Sequence, residues 1–131
     1  MKRFIHITFT LSILLLCSAC GVGRTPKSTI KGFFNAIEQE EYDKALSHTT
    51  VSTESDYELY YAILKKEHDS ILSNGGIKKI EIIKQEPSLN NHEHTIITAI
   101  IHYNDNSTRE ECCEMIRVEN RWKIVADLNA K

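Results

Sequence analysis

The chain has 131 residues, 41% of them hydrophobic, with 16 basic residues against 18 acidic ones. That length suits one domain with a modest core, and the slightly acidic balance argues against a nucleic-acid-binding surface. The cysteines, two near the start (Cys17, Cys20) and two adjacent (Cys112, Cys113), supply no disulfide framework.

Lys2 and Arg3 precede a run from Phe4 to Leu16 that only His6, Thr8, Thr10 and Ser12 interrupt. This is the order of parts of an export signal, and the run stops short of the roughly 20 apolar residues a membrane-spanning helix needs. Small residues follow, Ser18 and Ala19, and then Cys20 and Gly21. The stretch resembles the bacterial lipoprotein signal, in which a Leu-small-small-Cys motif is acylated on the cysteine and cut just before it. Cys17 departs from the usual aliphatic at the first position. The resemblance implies cleavage between Ala19 and Cys20, lipid on Cys20, and attachment to the membrane of the bacterial cell envelope. With Gly21 and not Asp next to the cysteine, it implies the outer membrane if the cell is Gram-negative. The alternative is ordinary secretion by an Ala-x-Ala-like cut. Since each buried methylene contributes about 0.8 kcal/mol and one chain alone holds only marginally, two or more acyl chains would make the anchor stable.

The expected organisation is a signal peptide over 1–19, a lipidated tether over 20–24 and one domain over 25–131. Thr25-Pro26 predicts a helix start, with Thr25 as N-cap and Pro26 in the first turn, where its missing N–H costs nothing. Ile30, Phe33, Phe34 and Ile37 form one apolar stripe at helical spacing. Gly32 interrupts it at a cost of up to about 1 kcal/mol against Ala, which suggests a close approach there. After the polar break Gln39-Glu40-Glu41, Tyr42, Ala45 and Leu46 predict a second short helix, and Thr49 to Thr53 a loop. Ser55-Asp56-Tyr57-Glu58 has the form of a capping box. It would open a third helix carrying Tyr57, Tyr60, Tyr61, Leu64, His68 and Ile71 on one face and ending at Asn74-Gly75-Gly76.

The period then changes to alternation. Strands are predicted over Ile77 to Gln85, His94 to Tyr103, Thr108 to Val118 and Trp122 to Leu128, with turns at Asn104-Asp105-Asn106-Ser107 and Glu119-Asn120-Arg121. Trp122 heads the last strand as an expected core anchor. Helices first and hairpin-linked strands after is an α+β order.

Thr25-Pro26, Phe33-Phe34-Asn35-Ala36-Ile37, Glu41-Tyr42-Asp43-Lys44-Ala45, Ile77-Lys78-Lys79-Ile80 and Asn120-Arg121-Trp122-Lys123-Ile124 resemble the bacterial lipoproteins grouped as domain of unknown function 4878. These are similar to the nuclear transport factor two-like (lumazine-binding-like) superfamily. The resemblance implies N-terminal helices packed in the concave face of a curved antiparallel sheet of about four strands. Glu40 stands where a turn glycine is common, and Asn120 replaces a hairpin glycine, as Asn can because it tolerates positive φ. These are packing motifs, which imply a fold and not an activity.

Phe33, Phe34, Tyr60, Tyr61, Ile97, Ile101, Tyr103 and Trp122 are the residues that could line a pocket in such a cone, although an aromatic stripe at helical spacing is more often core. Glu111 and Tyr103 are the strand residues assignable to an isomerase-like base and oxyanion donor, and no sequence neighbour tunes them; no catalytic residue is assigned. His92-Glu93-His94 has two histidines on one strand face but no recognised ligand spacing, so no metal and no cofactor are expected. Cys112 and Cys113 should face opposite sides of a strand. The expectation is an envelope-anchored binding or scaffolding module whose protein or small-molecule partner the sequence does not name. The alternative is a small-molecule-binding, hydrolase-like or isomerase-like enzyme using the cone pocket.

Overall fold

A computed structural model describes residues 23–52 and 54–126, and the side chains of Glu54 and Ser55 are not described. The signal, its cleavage site, Cys20 and the predicted capping role of Ser55 therefore lie outside the described residues. Three helices, α1 (Pro26–Glu38), α2 (Tyr42–Ser47) and α3 (Glu54–Ser73), precede four strands, β1 (Ile77–Pro87), β2 (His94–Tyr103), β3 (Thr108–Val118) and β4 (Arg121–Ile124). The strands form one curved antiparallel sheet in the order β1-β2-β3-β4.

The start of α1 follows from its first four residues. The Thr25 hydroxyl accepts from the Ser28 N–H at 3.1 Å, the Thr25 N–H donates to Ser28 Oγ at 3.2 Å, and Pro26 occupies the first turn. Two orphan donors are thus satisfied reciprocally, with Ser in the place usual for Glu. The chain leaves α1 through Glu40, whose φ of 61° is the left-handed conformation expected of a position where glycine is common. Helix α3 is already helical at Glu54, one residue ahead of the predicted cap. It ends at Gly75 and Gly76, both with positive φ, where the Gly76 N–H closes on the Ile71 carbonyl at 3.0 Å. The positive φ favours glycine at Gly76, and a Cβ there, 2.8 Å from Glu38 Oε1, would also push that carboxylate aside.

Ile30, Ile37, Ile71, Ile97, Ala99, Ile101 and Met115 are fully buried, joining α1 and α3 to the helix-facing side of the sheet. On β2 the odd-numbered residues from Ile97 to Tyr103 take that side, as alternation requires. Trp122 differs from expectation: it packs on the core but remains half-buried, because it lies on the short last strand, at the sheet's edge.

Both sheet edges are managed. Along β4, the Trp122 N–H donates to the Gly23 carbonyl and the Ile124 N–H to the His48 carbonyl, each at 2.8 Å. Thr49 makes a parallel bridge to Ile124, so the predicted loop after α2 is in part a short extension of the sheet. This cover also ends β4 at Ile124, earlier than the predicted Leu128, which lies outside the described residues; the Val125 N–H turns back to the Glu114 carbonyl. At the other edge β1 runs to Pro87, two residues past its predicted end, since a proline without N–H is tolerated on an outer strand. Register shifts at Ile77/Lys79 and Ile82/Lys84 and the lysines of β1 twist and charge this edge, which discourages pairing with another chain. The Glu119-Asn120 turn has φ of 50° and 66°, the left-handed pair that a two-residue hairpin demands.

Candidate functional site

Beneath α3, the helix-facing side of β3 carries polar residues among apolar ones. Alternation places Arg109, Glu111, Cys113 and Met115 on this side, and the register sets Arg109 opposite Ile101 and Glu111 opposite Ala99. Arg109 forms a forked pair with Glu67 of α3, Nη2 to Oε1 and Nη1 to Oε2, the latter at 3.3 Å. Its Nε lies 2.7 Å from Glu111 Oε1 in an ion pair whose geometry falls short of an aligned hydrogen bond. The guanidinium also stands 6.0 Å from the Tyr103 ring centroid, within reach of a cation–π contact.

The electrostatics follow from burial. Burial pushes the Glu111 carboxyl above its ordinary range, against the pull of Arg109. It likewise raises the Tyr103 phenol, whose oxygen is buried and has no hydrogen-bond partner among the described residues. For Arg109 burial acts downward, but the hydrogen bond and charge of Glu67, with the charge of Glu111, outweigh it and the guanidinium is held more firmly charged. The arrangement thus ties α3 to the sheet with one cation between two carboxylates. Glu111 and Tyr103 do come together, but with Arg109 and Glu67 as tuning neighbours that sequence inspection missed. The i, i+2 spacing of Arg109 and Glu111 was the available signal; Glu67 is 42 residues away and left none.

Of the eight candidate pocket residues, Phe34, Ile97, Ile101 and Tyr103 are buried core side chains, while Phe33, Tyr60, Tyr61 and Trp122 are half-buried against that core. The hydroxyl of Tyr61 donates to Asp43 of α2, and Phe33 meets Phe34 edge-on with centroids 5.2 Å apart. The two cavities described lie elsewhere, on the outer side of α1. One, of about 220 Å³, is lined by Lys31, Asn35, Ile77, Lys78, Lys79 and Ile80. The other, of about 270 Å³, is lined by Gly32, Asn35, Ala36, Gln39, Lys44 and His48. Gly32 therefore borders open space, where a close packing contact was expected.

The histidine-rich stretch does not converge. His92 and Glu93 are exposed in the turn before β2, so His92 does not share a strand face with His94 as expected; His94 Nδ1 pairs with Glu114 Oε1 at 2.7 Å, and His102 Nε2 lies 3.4 Å from Glu81, both on the side of β2 away from the helices. Among the described residues no three His, Cys, Asp or Glu side chains form a metal-binding group. His68 is buried under α1, with Nδ1 2.9 Å from the Ile37 carbonyl and Nε2 3.1 Å from Glu40, which fastens α3 to the α1–α2 turn. Cys112 and Cys113 are free and face opposite sides; burial, with Glu111 and Cys112 adding to it, pushes the Cys113 thiol up to about 12.

No family model and no curated protein matches this chain. Among solved structures it is similar to a Campylobacter jejuni protein described, without an established activity, as an NTF2-like (nuclear transport factor two-like) transpeptidase. That match has a TM-score of 0.67 and 12% identity, and covers 79% of this chain and 99% of that one. It is also similar to a SEC-C motif containing protein from Rhodopseudomonas palustris, with a TM-score of 0.52, 8% identity, and 85% and 83% of the two chains covered. At such identities the likeness establishes the fold: helices followed by a curved four-stranded sheet, NTF2-like. No helix among the described residues is long and apolar enough to cross a membrane.

Proposed function

We propose that this chain is a lipoprotein of the bacterial cell envelope, akin to domain of unknown function 4878, in which lipid on Cys20 anchors a small NTF2-like binding or scaffolding domain. The observation that carries the reading is the juxtaposition of Ser18-Ala19-Cys20 with the start of the fold. Gly23, three residues on, already accepts a hydrogen bond from the Trp122 N–H at 2.8 Å. Three residues span at most about 11 Å, so a lipid on Cys20 would hold the domain against the bilayer surface.

A catalytic reading, including the transpeptidase chemistry named for the Campylobacter jejuni protein, finds less support. The hydrogen-bond partner of Cys112 is the Thr98 hydroxyl at 3.5 Å, and Cys113 is held as a thiol by burial. Among the described residues neither has a hydrogen-bonded base of the kind an acyl-accepting nucleophile uses. In the Glu111–Tyr103 pair, Arg109 already occupies the carboxylate.

The test is Cys20→Ala expressed in a bacterium that processes lipoproteins, followed by membrane fractionation and intact mass. Native protein should gain the mass of acyl chains and partition with membranes, while the variant should stay unprocessed or become soluble. Identical mass and partitioning of the two would refute the anchor.

A further inference from the structure

The outer side of α1 departs from the charge balance of the rest of the chain. From Cys20 to Ile37 the sequence contains Arg24, Lys27 and Lys31 and no acidic residue. Helical spacing stacks Lys27, Lys31, Asn35 and Gln39 along one line, and the two cavities flank it.

On one flank, the exposed Lys78 and Lys79, beside the register shift between Ile77 and Lys79, border the cavity together with Lys31. None of these three lysines has an ion-pair partner among the described residues. The nearby carboxylate of Glu38 is engaged by the Ile77 N–H at 3.1 Å. On the other flank, Lys44 shares its charge with Glu41 at 3.4 Å. His48 beside it is 9% exposed, and its Nε2 has no partner among the described residues. Burial, and then Lys44, Lys123 and Arg121, hold the His48 imidazole below its ordinary basicity. Asn35 lines both cavities and can donate into either.

From this juxtaposition we propose that the outer face of α1 is a binding site for phosphate groups, with Lys31, Lys78 and Lys79 holding one phosphate and Lys44 and Asn35 a second. Like lysine charges crowded round a cavity repel one another, and a multiply charged oxyanion relieves this while accepting their charge-assisted hydrogen bonds. Asn35 borders both cavities, so the two phosphate positions are neighbours on one face, whether the phosphates are free in solution or borne on lipid headgroups. The site stands whether or not Cys20 carries lipid, since it is built wholly from described residues of the domain.

The experiment uses the full chain in non-ionic detergent micelles at fixed ionic strength. Resonances of the Asn35 side-chain amide and the His48 ring are followed in two arms: addition of inorganic pyrophosphate, and doping of the micelles with phosphatidylglycerol against phosphatidylcholine. A saturable shift of both residues is expected in at least one arm. Response to pyrophosphate identifies a soluble phosphate source, and response to phosphatidylglycerol alone identifies the headgroup. Lys31→Gln with Lys78→Gln and Lys79→Gln should weaken binding by about tenfold or more, Lys44→Gln separately by less, and Lys65→Gln with Lys66→Gln on the exposed side of α3 not at all. All these lysines are exposed, so the variants should fold, which circular dichroism checks. Absence of saturation in both arms up to about 20 mM phosphate, or equal weakening by the α3 variant, would overturn the proposal.

Discussion

Replacing Arg109 by Met keeps the length of the side chain and removes the charge between Glu67 and Glu111. Breaking a fully buried ion pair by removing one partner costs about 3–5 kcal/mol, whereas exposed pairs contribute about 0–1 kcal/mol. Here the side chains are 31% exposed for Arg109, 24% for Glu67 and 34% for Glu111, which places the site between those limits. A loss of about 2–3 kcal/mol at neutral pH follows, or about 10–20 °C in Tm at the 4–8 °C per kcal/mol typical of a domain this size. The pH dependence supplies a second readout. The Glu111 carboxyl is raised in the folded state, so its ionisation opposes folding. The stability it allows is complete below the unfolded carboxylate value, about 4.3, and is lost as pH rises through the higher folded value. Without Arg109 that folded value rises further and the penalty at neutral pH grows. The deficit of Arg109→Met should therefore be largest at neutral pH and shrink as the pH falls through the raised folded-state range of Glu111 toward the unfolded carboxylate value, where the carboxyl is protonated. Urea unfolding at several pH values, with Arg109→Met/Glu111→Gln as the compensating pair, measures both effects. A deficit under about 0.5 kcal/mol, the range of ordinary surface changes, or one that does not vary with pH would refute this account of the cluster.

Two further predictions concern packing and thiol reactivity. Trp122→Ala should cost about 2 kcal/mol, less than the 3–5 kcal/mol of a fully enclosed aromatic, because the ring is half-buried; a urea midpoint unchanged from wild type would show that its packing contributes nothing. In native protein an alkylating reagent should modify exposed Cys112 and leave Cys113 essentially unmodified, with both labelled after denaturation without reductant; a reductant requirement would reveal a disulfide.

Local signals in the sequence carried far into the fold. The Thr25-Pro26 start, the β2 and β3 boundaries and a positive φ at Asn120 were legible because caps, alternation and turn residues act over a few positions, whereas the turn at Glu40 was marked only by the family resemblance. What escaped depends on pairing across the chain. Nothing local marks the Thr49 bridge to Ile124, the His48 carbonyl serving the Ile124 N–H, or Glu67 reaching Arg109, since each partner obeys the rules of its own element. Trp122 was misjudged for the same reason: alternation tells which side a residue takes, but its enclosure depends on the elements that cover that side.

The distribution of charge decides between the two places where chemistry could reside. On the helix-facing side of the sheet, Glu67, Arg109 and Glu111 are already matched, so a ligand there would have to displace ion pairs that are partly desolvated, at a cost of about 1–3 kcal/mol for each polar group left without a partner. On the outer side of α1, Lys31, Lys78 and Lys79 are exposed round a cavity with no counter-charge pairing them among the described residues, so an anion adds favourable contacts without breaking any. The first arrangement is a network whose members already partner one another; the second has cations with no ion-pair partner among the described residues. Three lysines round one cavity, with no ion pair among the described residues, are the arrangement that an added negative charge relieves most, which is why the proposed phosphate site is placed there and not beneath α3.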